Sequence, residues 1–379
     1  MAKRMTIGSN GPCSNGLAAG WSLLVAIAVP FPALTAGVSH QSRCLDWACP
    51  SGASCQSGGG LSQAAAMTTD SAPAATRFKI GTRGSPLALA QANMTAAALA
   101  TAHGWAPDAI EIVVISTTGD RVQDRPLAEI GGKALWTKEL DAALIDGRID
   151  CGVHSMKDVE TQLRDGIALA AMLPRADVRE RLIGAPSIDA LPPGARVGTS
   201  SPRRAAQLRS IRPDLQTEIL RGNVATRMAR VESGAIDATL LAAAGLDRLG
   251  VDVGATIETE VMLPASAQGA VGITARAGDA AVLALLAAIN HADTFAAVSL
   301  ERGFLAALGG TCHSPVAALA RISGDRVTFA AQIMTEDGGE IEEGGFEAGL
   351  DIAPELVTAL AADMLADAGP ALRALFLPG

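Results

Sequence analysis

From Phe78 onward, short apolar runs alternate with longer segments in which apolar positions recur every three or four residues. The short runs predict strands at 78–82, 110–116, 149–154, 167–172, 195–199, 216–220, 236–241 and 270–275. The longer segments predict amphipathic helices, among them 85–102, 135–146, 202–209 and 223–233. Their starts are marked: Ser85, Ser201 and Asn223 suit an N-cap, and Pro86 and Pro202 stand at the first helical position, where a missing N–H costs nothing. Strand and helix in alternation is the pattern of an α/β protein with mainly parallel sheets. After about residue 290 the order changes to a helix at 294–308, a Gly-rich turn, two strands and a last helix at 354–368, which predicts a separate α+β domain.

Composition narrows the picture. The 379 residues are 49% hydrophobic and 18% charged, enough for two or three domains with full cores. The first 66 residues break the pattern: they are weakly periodic, rich in Gly, Ser and Ala, and hold Cys13, Cys44, Cys49 and Cys55, four of the six cysteines. Lys3 and Arg4 precede an apolar run at 21–34 with small residues at 33–36, which reads as a secretory signal; the run is too short and proline-broken to span a membrane. In the body of the chain, Cys151 and Cys312 show no disulfide framework. That favours the other reading, in which Met67 is the true start, residues 1–76 are a disordered leader or start-site extension, and the protein is cytoplasmic.

Charge bears on the partner. The run GTSSPRR at 198–204 sets Arg203 and Arg204 at a predicted helix start, where free backbone N–H groups favour an anion. FKIGTRGSPLALAQ at 78–91 repeats the pattern with Arg83 and Ser85, and ILRGNVATRM at 219–228 repeats it with Arg221 and Arg227. All five arginines fall near the carboxyl ends of predicted strands, where open α/β sheets bind ligands. Arginine's fork pairs bidentately with carboxylates, so several such turns facing one cleft suit a ligand with many carboxylates. Nucleic acid is the competing polyanion. A net charge of −9, 3% aromatic residues with no Tyr, and no Lys/Arg-rich block argue against it.

Three further segments bear on chemistry. IDCGVHSMKDVE, at 149–160, ends a strand and presents His154, Ser155, Lys157 and Asp158 together. An Asp after a strand is most often a turn former; among arginines it is an ionised carboxylate in a cationic cleft, able to stabilise developing positive charge or move protons. Glu129 to Lys133 form a Gly-pair loop, either a plain connection or a mobile flap that brings Lys133 to a bound anion. GGTCHSPVAALA, at 309–320, puts Cys312 in a Gly-rich turn beside His313, as a small buried hydrophobe or as a nucleophile or attachment point. G-x-S-x-G, H-E-x-x-H, P-loop and metal-ligand spacings are absent from the sequence.

The motifs TRGSPLALAQ (82–91), GDR (119–121), PLAEIGGKALWTKEL (126–140), VHSMKD (153–158), GTSSPRR (198–204), LRGNVATR (220–227), AAGLDRLG (243–250), AQGAVGI (267–273) and the GTC turn (310–312) resemble, in order, those of the porphobilinogen deaminases, or hydroxymethylbilane synthases. The resemblance implies two α/β domains similar to periplasmic binding proteins, 77–175 with 266–289 and 178–263, and a C-terminal α+β domain, 292–379, bearing the reactive cysteine. It also implies a dipyrromethane cofactor held by a thioether to Cys312, to which four porphobilinogen molecules are added head to tail with loss of ammonia before water releases hydroxymethylbilane. Asp158 matches the catalytic aspartate. Asp120, Lys157, Asp158, Ser201, Arg203, Arg204 and Arg227 match cofactor-binding positions; Arg83, Ser85, Lys133, Arg221, Arg248 and Gln268 match substrate-binding ones. No metal, nucleic acid or membrane is expected, and family precedent favours a monomer. Glu129 replaces a lysine of some relatives, and Glu160 stands where proline is frequent. A secreted anion solute-binding protein would share the two lobes, the signal-like N-terminus and the anion-binding turns, but has no use for Cys312 or a third domain.

Overall fold

The computed structural model describes residues 77–117, 137–311 and 313–376. The proposed leader lies outside them. Three sheets organise the described chain. The first contains β1 (Phe78–Thr82), β2 (Ile110–Val114), β3 (Cys151–Ser155), β4 (Ile167–Met172) and, far along the chain, β10 (Val271–Arg276). The second contains β5 (Glu180–Ile183), β6 (Arg196–Gly198), β7 (Gln216–Glu218), β8 (Ala238–Ala242) and β9 (Ala255–Ile257). Their orders, β2-β1-β3-β10-β4 and β7-β6-β8-β5-β9, are the same arrangement used twice. In each, the fourth strand runs antiparallel to both neighbours and comes from chain that has just crossed from the other sheet.

This corrects the expectation of mainly parallel sheets: β1–β2, β1–β3, β6–β7 and β6–β8 are parallel, whereas every pairing of β10 and β5 is antiparallel. β5 and β9 lie outside the predicted strands. β5 reads as a charged turn because it opens with Glu180 and Arg181, and β9 spans only three residues.

The predicted caps form. In helix α1 (Pro86–His103), Ser85 Oγ accepts from Ala88 N, and Gly104 closes the helix at φ 64°, a left-handed conformation that suits glycine. Helix α2 (Lys138–Ile145) follows the undescribed segment 118–136. Ser201 caps α3 (Pro202–Ile211), and Asn223 caps α4 (Val224–Glu232) by accepting from Thr226 N at 2.9 Å. Close packing fixes Gly81, where a Cβ would lie 2.2 Å from Ile149 Cδ1. After β8 come α5 (Ala243–Arg248) and, beyond β10, α6 (Ala280–Ala287).

The C-terminal part has three strands rather than the expected two: β11 (Val316–Ser323), β12 (Arg326–Met334) and β13 (Ile341–Gly349), in an antiparallel meander. β13 hides from hydropathy because Glu342, Glu343, Gly344 and Gly345 interrupt it. Helices α7 (Ala292–Ala307) and α8 (Ala353–Asp367) contribute to its core, where Phe329 stacks on Phe346 at 5.3 Å and meets Phe304 edge-on at 5.6 Å. Burying each of these rings is worth about 1.5–3 kcal/mol.

Glu301, on α7, ties this part to both crossings. Its Oε1 accepts from Arg175 Nη1 (2.7 Å) and Ala320 N (2.8 Å), and its Oε2 from Arg175 Nη2 (2.9 Å) and Ala267 N (2.6 Å). Arg175 lies on the first crossing and Ala267, at φ 62°, on the second.

Candidate active site

The carboxyl ends of β1, β3 and β6 carry the candidate groups, as expected for open α/β sheets. β1 leads into Arg83 and Ser85, and β3 into Ser155 and the 3-10 turn Met156–Asp158. β6 leads into Thr199, Ser200 and Ser201. Gly272 on β10 leaves room for this turn, since a Cβ there would lie 2.1 Å from Met156 Sδ.

Arg83, Ser85, Gln91, His154, Ser155 and Asp158 line a small pocket at the end of the first sheet. Asp158 is the one carboxylate among its lining residues. Gln91, almost fully buried, holds Ser155 through Nε2 to Oγ at 2.8 Å. His154 is buried beneath them with Nε2 2.9 Å from Thr274 Oγ1; burial, reinforced by Arg83 and Arg302, pushes its pKa down to about 4, so it is neutral at neutral pH.

Residues of the second sheet supply positive charge to the same turn. Burial and then Arg204 push the Lys157 ammonium down to about 8, against the opposing pull of Asp158 and Glu180. Arg227 is lowered to about 10 by burial and Arg204, with Asp158 working the other way. Its Nε donates to Gly222 O at 3.0 Å. Lys157, Asp158, Arg203, Arg204 and Arg227 are therefore within electrostatic reach of one another.

Two sequence expectations change in this geometry. Arg203 and Arg204 are not open forks: both are buried and clamp the carboxylate of Glu180, a residue that no sequence motif singled out. Capping drives α3 into the sheet, and the apolar surroundings then demand a counter-ion. Gln268 is fully buried rather than facing a substrate; its Nε2 donates to Val178 O at 2.7 Å and Glu180 Oε1 at 3.2 Å. The signal for Glu180 was an acidic residue opening the apolar run Leu182–Ile183, a position that needs a buried cation.

Arg248 donates through Nη2 to Gly269 O at 2.7 Å, on the second crossing. Arg221 lies before Gly222, whose φ of 109° suits glycine. Asp120, Lys133 and Cys312 lie outside the described residues. Thr311 N donates to Ser314 Oγ at 3.0 Å.

Among the described residues, Arg203 Nε and Arg248 Nε are buried donors with no hydrogen-bond partner. The cations Lys157, Arg204 and Arg227, gathered around Asp158, fit a ligand rich in carboxylates.

Comparison with known proteins bears on the same residues. Residues 78–284 match the family described as "Porphobilinogen deaminase, dipyromethane cofactor binding domain", and residues 295–366 match "Porphobilinogen deaminase, C-terminal domain". A porphobilinogen deaminase of Sphingopyxis alaskensis is 59% identical over 310 residues, covering 79% of this chain and 96% of that protein. Two solved structures resemble the chain only weakly. A putative methionine-binding lipoprotein of Bacillus subtilis has a TM-score of 0.36 and 12% identity, covering 57% of this chain and 90% of its own. The BvgS periplasmic VFT2 domain of Bordetella pertussis has a TM-score of 0.34 and 14% identity, covering 56% and 86%.

Proposed function

The chain belongs to the porphobilinogen deaminase family, and from that premise we propose that the cationic turn around Asp158 is where its reaction takes place. The activity is that of a transferase: four porphobilinogen molecules are joined head to tail with loss of ammonia, and hydroxymethylbilane is released by water in tetrapyrrole biosynthesis. The dipyrromethane cofactor, when bound, supplies the pyrrole end at which joining starts.

The observation that carries the reading is the single carboxylate, Asp158, lining a pocket whose other polar groups are Arg83, His154, hydroxyls and the Gln91 amide. Loss of ammonia from porphobilinogen leaves positive charge on its pyrrole nitrogen. Asp158 stabilises that charge and takes or returns protons, with Lys157 and Arg227 beside it. The same cations hold ligand carboxylates, so one cleft binds the acidic arms and serves the positive centre.

Arg83, Ser85, Arg221 and Arg248 hold the carboxylates of porphobilinogen, with Lys133 delivered by its loop. Lys157, Ser201, Arg227 and Asp120 hold the cofactor, which Cys312 carries as a thioether. Arg203 and Arg204, both buried against Glu180, add positive charge from behind it. Gln268 acts by bracing the second crossing against the first. We infer domains at 77–175 with 266–289, 178–263 and 292–379, a division that the three separate sheets support. We infer a cytoplasmic monomer; no single helix among the described residues is long and apolar enough to cross a membrane. The reading as a solute-binding protein is not favoured.

Asp158→Asn tests the assignment. Turnover of porphobilinogen by the holoenzyme is expected to fall by about 10²–10⁴-fold, with the melting temperature and retained cofactor unchanged. Retention of more than about a tenth of the wild-type rate would remove Asp158 from the chemistry.

A further inference from the structure

We propose that Glu180 is a positioning residue of this site: through Arg203 and Arg204 it fixes the placement and net charge of the cationic wall that faces Lys157. The inference rests on the reading of the cleft given above.

The geometry is specific. Glu180 opens β5, the crossing strand of the second sheet, opposite Ala242 on one side and Ile257 on the other, and it is fully buried. Its Oε1 accepts from Arg203 Nη2 (2.6 Å) and Arg204 Nε (3.0 Å), and Oε2 from Arg204 Nη2 (2.6 Å). The remaining groups are anchored as well: Arg203 Nη1 donates to Gln207 Oε1 and Leu263 O, and Arg204 Nη1 to Leu240 O, each at 2.9 Å. Gln268 joins Glu180 from the second crossing. One carboxylate therefore orients two guanidinium groups and touches both crossings.

An arginine–carboxylate–arginine cluster is an expensive way to fill a core, because desolvating three charges offsets much of their attraction. Here it leaves one net positive charge at the N-terminal turn of α3, and that charge acts on Lys157. The groups facing Lys157 are Arg204 and Arg203 from α3, Glu180 from β5 and its neighbour Asp158. The arginines favour the neutral amine; Glu180 and Asp158 favour the ammonium. With Glu180 in place, Lys157 titrates at about 8 and remains largely protonated at neutral pH, as binding a carboxylate requires. Without it, two uncompensated guanidinium groups would push the amine toward neutrality and would themselves lose their orientation.

The test titrates Lys157 directly. Holoenzyme with native sequence, Glu180→Gln and Glu180→Asp is pulse-acetylated across a pH series, and acetylation of Lys157 is read by peptide mass spectrometry. The midpoint in the native holoenzyme is expected below the ordinary 10.5 of lysine. It should fall by about one pH unit in Glu180→Gln, raising the ratio of neutral amine to ammonium at pH 7 about tenfold, and return toward native in Glu180→Asp. An unchanged midpoint, or equal shifts in both variants, would overturn the proposal. A rise toward the ordinary 10.5 of lysine would also overturn it, since it would mean that Glu180 only holds the fold together. The readout needs no turnover, so it stands apart from the Asp158→Asn assay that tests the underlying reading.

Discussion

Replacing Glu301 by alanine should be among the most damaging single changes in the chain. Its carboxylate is wholly buried and receives four hydrogen bonds, two from Arg175, whose side chain is only 13% exposed, and two from backbone N–H groups at Ala267 and Ala320. Removal strands a nearly buried cation together with two buried donors. Breaking such a pair costs about 3–5 kcal/mol, and each orphaned N–H adds about 1–3 kcal/mol where water cannot reach it. Partial hydration of Arg175 lowers the sum, so a loss of about 4–6 kcal/mol is expected. For a folded body of about 300 residues that is a drop in melting temperature of about 6–10 °C. Circular dichroism during heating and in urea measures it. The paired replacement Arg175→Met with Glu301→Leu should recover much of the loss, because it removes both charges together. A Glu301→Ala protein that melts within about 2 °C of native would refute the reasoning, since no desolvated ion pair of this geometry should be so cheap.

His154 makes stability depend on pH. Its pKa falls from 6.5 to about 4 in the folded chain, so between these values the unfolded chain binds the additional proton and folding weakens as pH drops. Stability should be full above about pH 6.5 and erode by on the order of 3 kcal/mol toward pH 4, and His154→Gln should flatten that part of the curve in urea titrations. An equally steep curve in the variant would remove His154 as the cause. Gly272→Ala should cost about 1–3 kcal/mol and reduce turnover, because its methyl group must displace Met156, the residue next to Lys157; native urea midpoint and rate would contradict this.

What could be read in the sequence was local. Ser85, Ser201 and Asn223 act through neighbours three residues away, and all three cap the helices expected of them. The strand ends that carry Arg83 and Asp158 were equally legible from apolar runs. What escaped depended on partners far along the chain. β5 is not legible locally, because Glu180 becomes a core residue only when Arg203 and Arg204, more than twenty residues later, neutralise it. For the same reason, the two arginines looked like open anion-binding forks. Glu301 resembled any acidic residue on a helix until the fold brought Arg175, Ala267 and Ala320 to it. Asp120, Lys133 and Cys312 fall outside the described residues, and their roles rest on the family motifs.

The most direct test is an intact and peptide-level mass spectrum of the protein expressed from the full reading frame. A dipyrromethane adduct on the peptide containing Cys312, absent from Cys312→Ala, is expected, and the same spectrum identifies whether the chain begins at Met1 or Met67. A folded protein whose Cys312 stays unmodified, even after incubation with porphobilinogen or preformed hydroxymethylbilane, would contradict the assignment of cofactor attachment to this cysteine.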